Sequence, residues 1–175
     1  MSATPPTKEN LRQVVPFLGV TDMEGSIRFY IDALGFAMKY DWVRDGKLGW
    51  CWLTRGSASL MLQEFAREGN GCLRPEGKLG QGIWLCFQCQ DAIALYREFH
   101  SREIDAKEPF VGNSMWVTVL SDPDGYRLDF ESLTDVAEET KLASGEVIFS
   151  PREVGSNRAW ALPSTAPLLS RSPSR

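Results

Sequence analysis

The stretch SDPDGYRLDF, residues 121–130, joins a turn signal to a strand signal. Its first half places Asp122 and Asp124 around a proline and ends on Gly125. This combination is typical of a tight turn, because proline presets φ, aspartate bonds its own backbone and glycine permits positive φ. In the second half apolar and polar residues alternate, which predicts a half-buried strand. The paired carboxylates could also belong to a metal site or a catalytic loop, but the turn is the interpretation that we favour.

Upstream of this stretch the chain carries a strand–helix–strand–strand–strand pattern. VVPFLGV (14–20) predicts a strand and TDMEGSIRFYIDALGF (21–36) a helix, capped by Thr21 or Asp22 and ended by Gly35. Three further strands are predicted from FAMKYDWVRDG, KLGWCWLTRG and ASLMLQEF, with turns at RDGK and RGSA.

The same pattern then begins again. QGIWLCFQCQ predicts a strand and DAIALYREFHSREI a helix capped by Asp91, followed by strands at DAKEPFV, SMWVTVLS and YRLDFES. LGVTD (18–22) matches FQCQD (87–91) at an offset of 69, while GWCWL (49–53) matches MWVTV (115–119) at an offset of 66. At that same offset LMLQE pairs with YRLDF, so the chain contains an internal repeat.

The repeat predicts an α+β fold of two tandem βαβββ modules with a polar remainder. After the second module the chain turns polar and ends in a Pro/Ser/Arg-rich tail, in which VIFS (147–150) is the one segment that predicts a strand. The predicted organisation is a flexible N-terminus at 1–12, a first module at 13–65, a linker at 66–81, a second module at 82–132 and an extension at 133–175, largely irregular or disordered after 150.

The order of these motifs resembles a known family. V-x-D followed by S-x-x-F-Y and L-G-F, then SLMLQE and finally DPDGY, is similar to the vicinal oxygen chelate superfamily, the glyoxalase, bleomycin-resistance and extradiol-dioxygenase group. The resemblance covers about residues 13–132. It implies that each module curls its mixed sheet into a concave face, that two modules form a small-molecule cavity, and that the protein pairs as a homodimer.

The resemblance also implies where a metal would be held. The metal enzymes of the superfamily place ligands on the first and last strands of each module, and the matching positions here hold Val15, Gln63, Trp84 and Asp129. One amide and one carboxylate do not make a transition-metal site. His100 is the single histidine of the chain and lies late in a predicted helix. We therefore expect no metal and no other cofactor.

Strand alternation selects the residues that would line the cavity. It places Phe17 and Trp84 on the concave face, whereas the face taken by the central tryptophans stays open, since they could equally belong to the core. Asp129 could likewise face the cavity or water. The candidate ligand-binding residues are Phe17, Trp50, Trp52, Gln63, Trp84, Trp116, Asp129 and Glu131, and no catalytic residue is singled out.

Composition narrows the classes of partner. A net charge of −4 and an isoelectric point of about 5.1, without a Lys/Arg cluster, argue against nucleic acid and suit a cationic or aromatic ligand. No stretch approaches ~18 apolar residues, and the N-terminus has no apolar run, which predicts a cytoplasmic protein without a membrane partner. Cys86 and Cys89 would point to opposite faces of a strand, so free, buried thiols are expected.

Three functions remain open from the sequence. The first is a metal-free protein that binds a small organic ligand, with bleomycin-resistance-like sequestration or carriage. The alternative is a divalent-metal-dependent enzyme of the glyoxalase or lyase, isomerase or dioxygenase type, using carboxylates such as Asp129 and Glu131 with Gln63. The third is a non-catalytic interaction module that makes its contact through 133–175.

Overall fold

The computed structural model describes residues 13–66 and 72–142, and these confirm the α+β architecture of two βαβββ modules. The predictions for residues 1–12, 67–71 and 143–175, including the strand at 147–150, lie outside the described residues. No helix in the described ranges is long and apolar enough to cross a membrane.

The first module begins with a strand, and the helix that follows it is capped as predicted. The side chain of Asp22 accepts a hydrogen bond from the backbone N–H of Glu24, and the helix ends before Gly35, which has a φ of +71°. The strands form one sheet in the order β1-β4-β3-β2, with β1 parallel to β4. The elements are β1 (Phe17–Val20), α1 (Met23–Ile27) continued by π-helical turns over Arg28–Ala33, β2 (Ala37–Arg44), β3 (Lys47–Arg55) and β4 (Ala58–Glu64).

The second module repeats this topology. Its helix is capped by Asp91, whose side chain accepts from the N–H of Ala94, and its sheet has the order β5-β8-β7-β6. Residues 134–142 return along β6, where the N–H of Val111 donates to the carbonyl of Thr140. The elements are β5 (Trp84–Gln88), α2 (Ala92–Ser101), β6 (Phe110–Gly112), β7 (Met115–Ser121) and β8 (Arg127–Leu133).

Each sheet has a helix-covered face and a second face, which we call the open face. The helix-covered faces form a continuous core whose side chains are almost fully buried: Leu18, Val20, Cys51, Leu53, Leu60, Leu62, Leu85, Leu120, Leu128 and Phe130, together with Tyr30, Leu34 and Phe99 from the helices. Burial of these apolar side chains is the main stabilising contribution to the fold. The open faces carry the alternate residues of the same strands.

The strand register corrects the alignment of the two modules. Asp22 and Asp91 cap equivalent helices, and counting back from these caps makes Phe17 equivalent to Cys86. Phe17 pairs with Met61, and Cys86 pairs with Asp129. The equivalent of Asp129 is therefore Met61, and the assignment of that place to Gln63 was wrong.

A difference in turn length explains the shift in register. The equivalent pairs Thr54–Ser59 and Ser121–Arg127 are joined through residues 55–58 in the first module and 122–126 in the second. The second connection is one residue longer, so a single offset of 66 cannot hold for both flanking strands.

The DPDG segment is a turn, as predicted, and it also joins the modules. Asp122, only 5% exposed, accepts hydrogen bonds from Tyr30 Oη at 2.9 Å and from the N–H groups of Asp124 and Tyr126 at 3.0 and 2.8 Å. Asp124 accepts from the N–H and hydroxyl of Thr21 at 3.0 and 2.6 Å. Burial raises the pKa of the Asp122 carboxyl, although the donors around it oppose that shift.

Candidate ligand-binding site

The open face of the first module is aromatic. Trp42 lies opposite Trp50, and Tyr40 lies opposite Trp52, across the β2–β3 hairpin. This hairpin turns at Asp45–Gly46, where both residues have positive φ (51° and 75°), the geometry that suits a two-residue turn. The turn sets the pairs Arg44–Lys47 and Val43–Leu48, and a register shift beyond them places Trp42 opposite Trp50 and brings the four rings to one face.

The aromatic rings are held by close neighbours. The Tyr40 and Trp52 rings meet edge to face with centroids 6.1 Å apart, and Lys39 Nζ lies 5.4 Å from each. Trp42 lies against Gly49, where an added Cβ would come within 2.9 Å of the indole. The buried Nε1 of Trp52 has no hydrogen-bond partner among the described residues.

The open face of the second module is built on charge pairs. Asp129 is 2% exposed, and its two oxygens accept from Nε and Nη2 of Arg127 at 2.7 and 2.9 Å. The same guanidinium lies 3.8 Å above the ring of Trp84, which is itself 62% exposed. A bidentate ion pair stacked on an indole is a rigid arrangement with little net charge.

A second polar pair lies further along the same strands. Gln88 Nε2 donates to Glu131 Oε2, and Cys86 lies beside them. Burial, followed by the charge of Glu131, raises the pKa of the Cys86 thiol. Cys86 is exposed and Cys51 is buried, so the expectation that the thiols are buried holds for Cys51 and is wrong for Cys86.

The residues at the metal positions of the family do not fit a metal. In the observed register these positions are Val15, Met61, Trp84 and Asp129. Neither valine nor tryptophan offers a ligand atom, and both oxygens of Asp129 already hold Arg127. A different group, Cys86, Asp129 and Glu131, has its donor atoms within 4.8 Å of one another. Its combination of a protonated thiol with an already paired carboxylate is a poor ligand set.

Seven of the eight predicted residues lie on open faces. Phe17, Trp50, Trp52 and Gln63 lie on the first, and Trp84, Asp129 and Glu131 on the second. Trp116 does not join them: it is 3% exposed and pairs with Ser132, whose hydroxyl accepts from the N–H of Ala92 in α2. This tryptophan belongs to the helix-covered face, and its alignment with Trp50 was wrong.

Three residues that shape the open faces were missing from the predicted site. Tyr40 and Trp42 alternate in a strand that leads into an Asp-Gly turn, but that turn alone would place Trp42 opposite Gly49. The register shift that places the two rings opposite Trp50 and Trp52 has no short-range signal, so the sequence could not have shown them to share this face. Arg127 could have been found as the neighbour of Asp129 two residues along the same strand face, which is the spacing of the observed ion pair.

The family model of the Glyoxalase/Bleomycin resistance protein/Dioxygenase superfamily matches residues 11–130 of this chain. No curated protein sequence matches the chain.

Several solved structures share its fold. The bleomycin-binding protein of Streptomyces verticillus, complexed with copper(II)-bleomycin, is 18% identical with a TM-score of 0.54, covering 71% of this chain and 98% of its own. The lactoylglutathione lyase of Agrobacterium tumefaciens is 19% identical with a TM-score of 0.53, covering 71% and 96%. The bleomycin resistance determinant of transposon Tn5 is 24% identical with a TM-score of 0.54, covering 72% and 100%.

Proposed function

Because this chain belongs to the Glyoxalase/Bleomycin resistance protein/Dioxygenase superfamily, we propose that it binds a small organic molecule without a metal and sequesters or carries it. The observation that carries the proposal is the aromatic open face of the first module, where Tyr40, Trp42, Trp50 and Trp52 lie together. Fold alone does not decide between binder and enzyme, so the argument rests on the chemistry of these side chains.

The side chains favour a planar ligand that is neutral or positively charged. Indole and phenol rings offer flat apolar area for stacking. On the second module Arg127 is neutralised by Asp129, whereas the partners of Glu131, the amide of Gln88 and the thiol of Cys86, are uncharged. A cationic group on a ligand that extends to the second module would be attracted to Glu131. That the Streptomyces verticillus relative was solved with bleomycin supports this class of ligand.

A homodimer is part of the same proposal. Tyr40 and Trp42 on the first sheet and Trp84 on the second are each more than half exposed, which is unusual for large aromatic side chains. A second copy that covers part of these faces would bury them. Sedimentation of the full chain should give a dimer that Trp42→Glu dissociates and that Arg97→Glu, an exposed change on α2, leaves intact. A monomeric wild-type chain would refute the dimer.

Ligand binding is tested by the emission of the tryptophans themselves. The full-length chain is titrated with bleomycin and with a panel of neutral and cationic aromatic metabolites. Trp52→Phe reduces the flat ring area on which a ligand would stack, and we expect it to weaken binding by about fivefold, or ~1 kcal/mol. Trp116→Phe is the matched control, because it makes the same exchange on the helix-covered face.

Two results would contradict the proposed site. One is an emission spectrum that no compound shifts at high concentration. The other is an equal loss of affinity in Trp52→Phe and Trp116→Phe, which would indicate a general effect on the fold instead of a contact on the open face.

A metal-dependent enzyme is the second candidate, favoured by the clustering of Cys86, Asp129 and Glu131. It predicts that added Mn²⁺, Ni²⁺, Fe²⁺ or Zn²⁺ raises the melting temperature of the chain and that Glu131→Gln abolishes the shift. Protein purified without chelator that contains substoichiometric metal, and that shows no such shift, would exclude this cluster as a metal site.

A further inference from the structure

A cleft of about 510 Å³ lies between the two modules, apart from the aromatic open faces. It is bordered by the β3–β4 turn on one side and by the end of β5 and the start of α2 on the other. Gln88 is the one open-face residue that reaches it among the described residues. Its lining is Phe36, Arg55, Gly56, Ala58, Phe87, Gln88, Cys89, Gln90, Asp91, Ala94, Leu95, Glu98 and Phe130.

Three phenyl rings form the apolar part of the cleft. Phe87 stacks on Phe130 with centroids 5.0 Å apart, and Phe36 meets Phe87 at 6.0 Å with a steep interplanar angle of 73°. Phe36 and Phe130 are each 3% exposed and anchored in the core, so the ring positions are set by packing on their far sides. The volume lies within the range of small-molecule pockets, about 300–1,000 Å³.

The cleft exists because the two modules dock unequally. The β7–β8 connection reaches the β1–α1 junction, where Asp124 bonds Thr21 and Tyr126 Oη donates to the carbonyl of Gly19 at 3.0 Å. The equivalent β3–β4 connection is a two-residue turn, with Arg55 paired to Ala58, and faces the β5–α2 junction across the cleft. It reaches α2 through the Arg55–Glu98 ion pair at 3.3 Å. Small residues at 56, 58 and 94 leave the space between unfilled.

The charges at the rim select the ligand. Arg55 is the one cation among the lining residues, and its guanidinium is engaged by the carbonyl of Leu34 at 2.6 Å and by Glu98. Asp91 and Glu98 supply two carboxylates, and Glu98 is shared between Arg55 and Arg102. An anionic ligand would therefore find no free cation among these lining residues, and its charge would lose hydration at the edge of an apolar pocket. We infer that the cleft is a second binding site, for a neutral or singly cationic aromatic molecule that packs against Phe87, the part-exposed ring of the Phe36–Phe87–Phe130 group.

Two probes with the same ring system test this inference. N-phenyl-1-naphthylamine is neutral, and 8-anilinonaphthalene-1-sulfonate adds one sulfonate to the same skeleton. Both fluoresce on entering apolar surroundings and can be excited where tryptophan does not absorb. The full-length chain should bind the neutral probe at least about tenfold more tightly than the sulfonate.

Variants locate the probe in the cleft. Two substitutions fill the cleft: Ala94→Trp in α2 and Gln90→Trp in the loop before it. Each should weaken the binding of the neutral probe by about tenfold or more. Arg97→Trp adds the same side chain to an exposed position of the same helix outside the cleft and should leave the affinity unchanged. Measuring the same variants in a Trp42→Ala background, which weakens the open-face site, separates a failure of this inference from a failure of that site.

The inference is overturned if both cleft variants, shown by their melting curves to be folded, bind the neutral probe as the wild type does. It is also overturned if the sulfonate binds as tightly as the neutral probe, or if Arg97→Trp weakens binding as much as Ala94→Trp.

Discussion

The two modules have the same topology, but their open faces differ in chemical character. In the first, the open face of β2 and β3 carries four aromatic side chains that pair across the hairpin. In the second, the open face of β5 and β8 carries the Arg127–Asp129 ion pair and the Gln88–Glu131 hydrogen bond. The helix-covered faces, in contrast, are mainly apolar in both modules, with leucine the residue type that they share. The difference teaches that the fold depends on one face of each sheet, which leaves the other free to carry function.

The turns of the two modules differ in the same way. The β7–β8 turn buries a carboxylate that holds both its own backbone and Tyr30 of the other module, whereas the β3–β4 turn leaves a cleft. One module therefore supplies most of the polar docking between the halves. The predictions below are ordered by the size of the effect expected from this asymmetry.

Removing the buried carboxylate should have the largest effect. Asp122→Ala leaves Tyr30 Oη and two backbone N–H groups without their acceptor, so we expect the free energy of unfolding to fall by about 3 kcal/mol. Urea denaturation followed by circular dichroism measures this change. Asp105→Ala, at an exposed position, is the control and should change stability by less than about 0.5 kcal/mol. Equal effects of the two changes would refute the docking role of the turn.

Removing one aromatic ring from each open face should show which module contributes more to ligand binding. We expect Trp42→Ala to weaken ligand binding by about tenfold, or ~1.4 kcal/mol, because it removes stacking area from the aromatic face. Trp84→Ala should cost about threefold, since one face of its ring already carries Arg127. Calorimetric titration with the best ligand of the panel gives both values. A larger loss for Trp84→Ala would assign the site to the second module instead.

The buried carboxylate should also leave a signature in the pH dependence of stability. Its folded-state pKa is raised, so folding favours the protonated form: its contribution is present below the unfolded pKa, near 3.8, and is lost as pH rises through the folded pKa. As pH rises through this acid range, the free energy of unfolding of the wild type should therefore fall relative to that of Asp122→Asn, by up to about 1.4 kcal/mol per unit of pKa difference. Unfolding free energies of both proteins across this range give the comparison, and a constant difference would contradict it.

The smallest effect is expected at the exposed end of the same turn. Thr21→Val keeps the shape of the side chain and the backbone N–H bond to Asp124 but removes the hydroxyl donor. Because this contact is exposed, stability should fall by about 0.5–1 kcal/mol. Thr54→Val, an exchange in β3, serves as the control for the β-branched swap. A loss in Thr21→Val no larger than in the control would show that the hydroxyl contributes nothing.

Local signals explain which parts of the fold could be predicted. The aspartate caps, the glycine that ends the first helical segment and the Asp-Gly turn each depend on a few neighbouring residues, and all were found where the sequence indicated. The register between the modules was not found, because it depends on one extra residue in the β7–β8 connection. Since side chains alternate across a strand, an error of one residue moved Trp116 to the wrong face while leaving the strand itself correctly placed.

By itself the sequence determined the two-module architecture, the aromatic character of the candidate site and the absence of a ligand set at the metal positions of the family. Each of these follows from residue types and short-range patterns. Only the tertiary structure decided which tryptophans share a face, that Asp129 is engaged by Arg127, and that the DPDG turn joins the modules while its counterpart leaves a cleft. These features depend on contacts between residues far apart in the chain, such as the 92 positions that separate Tyr30 from Asp122, and such contacts leave no pattern in either segment alone.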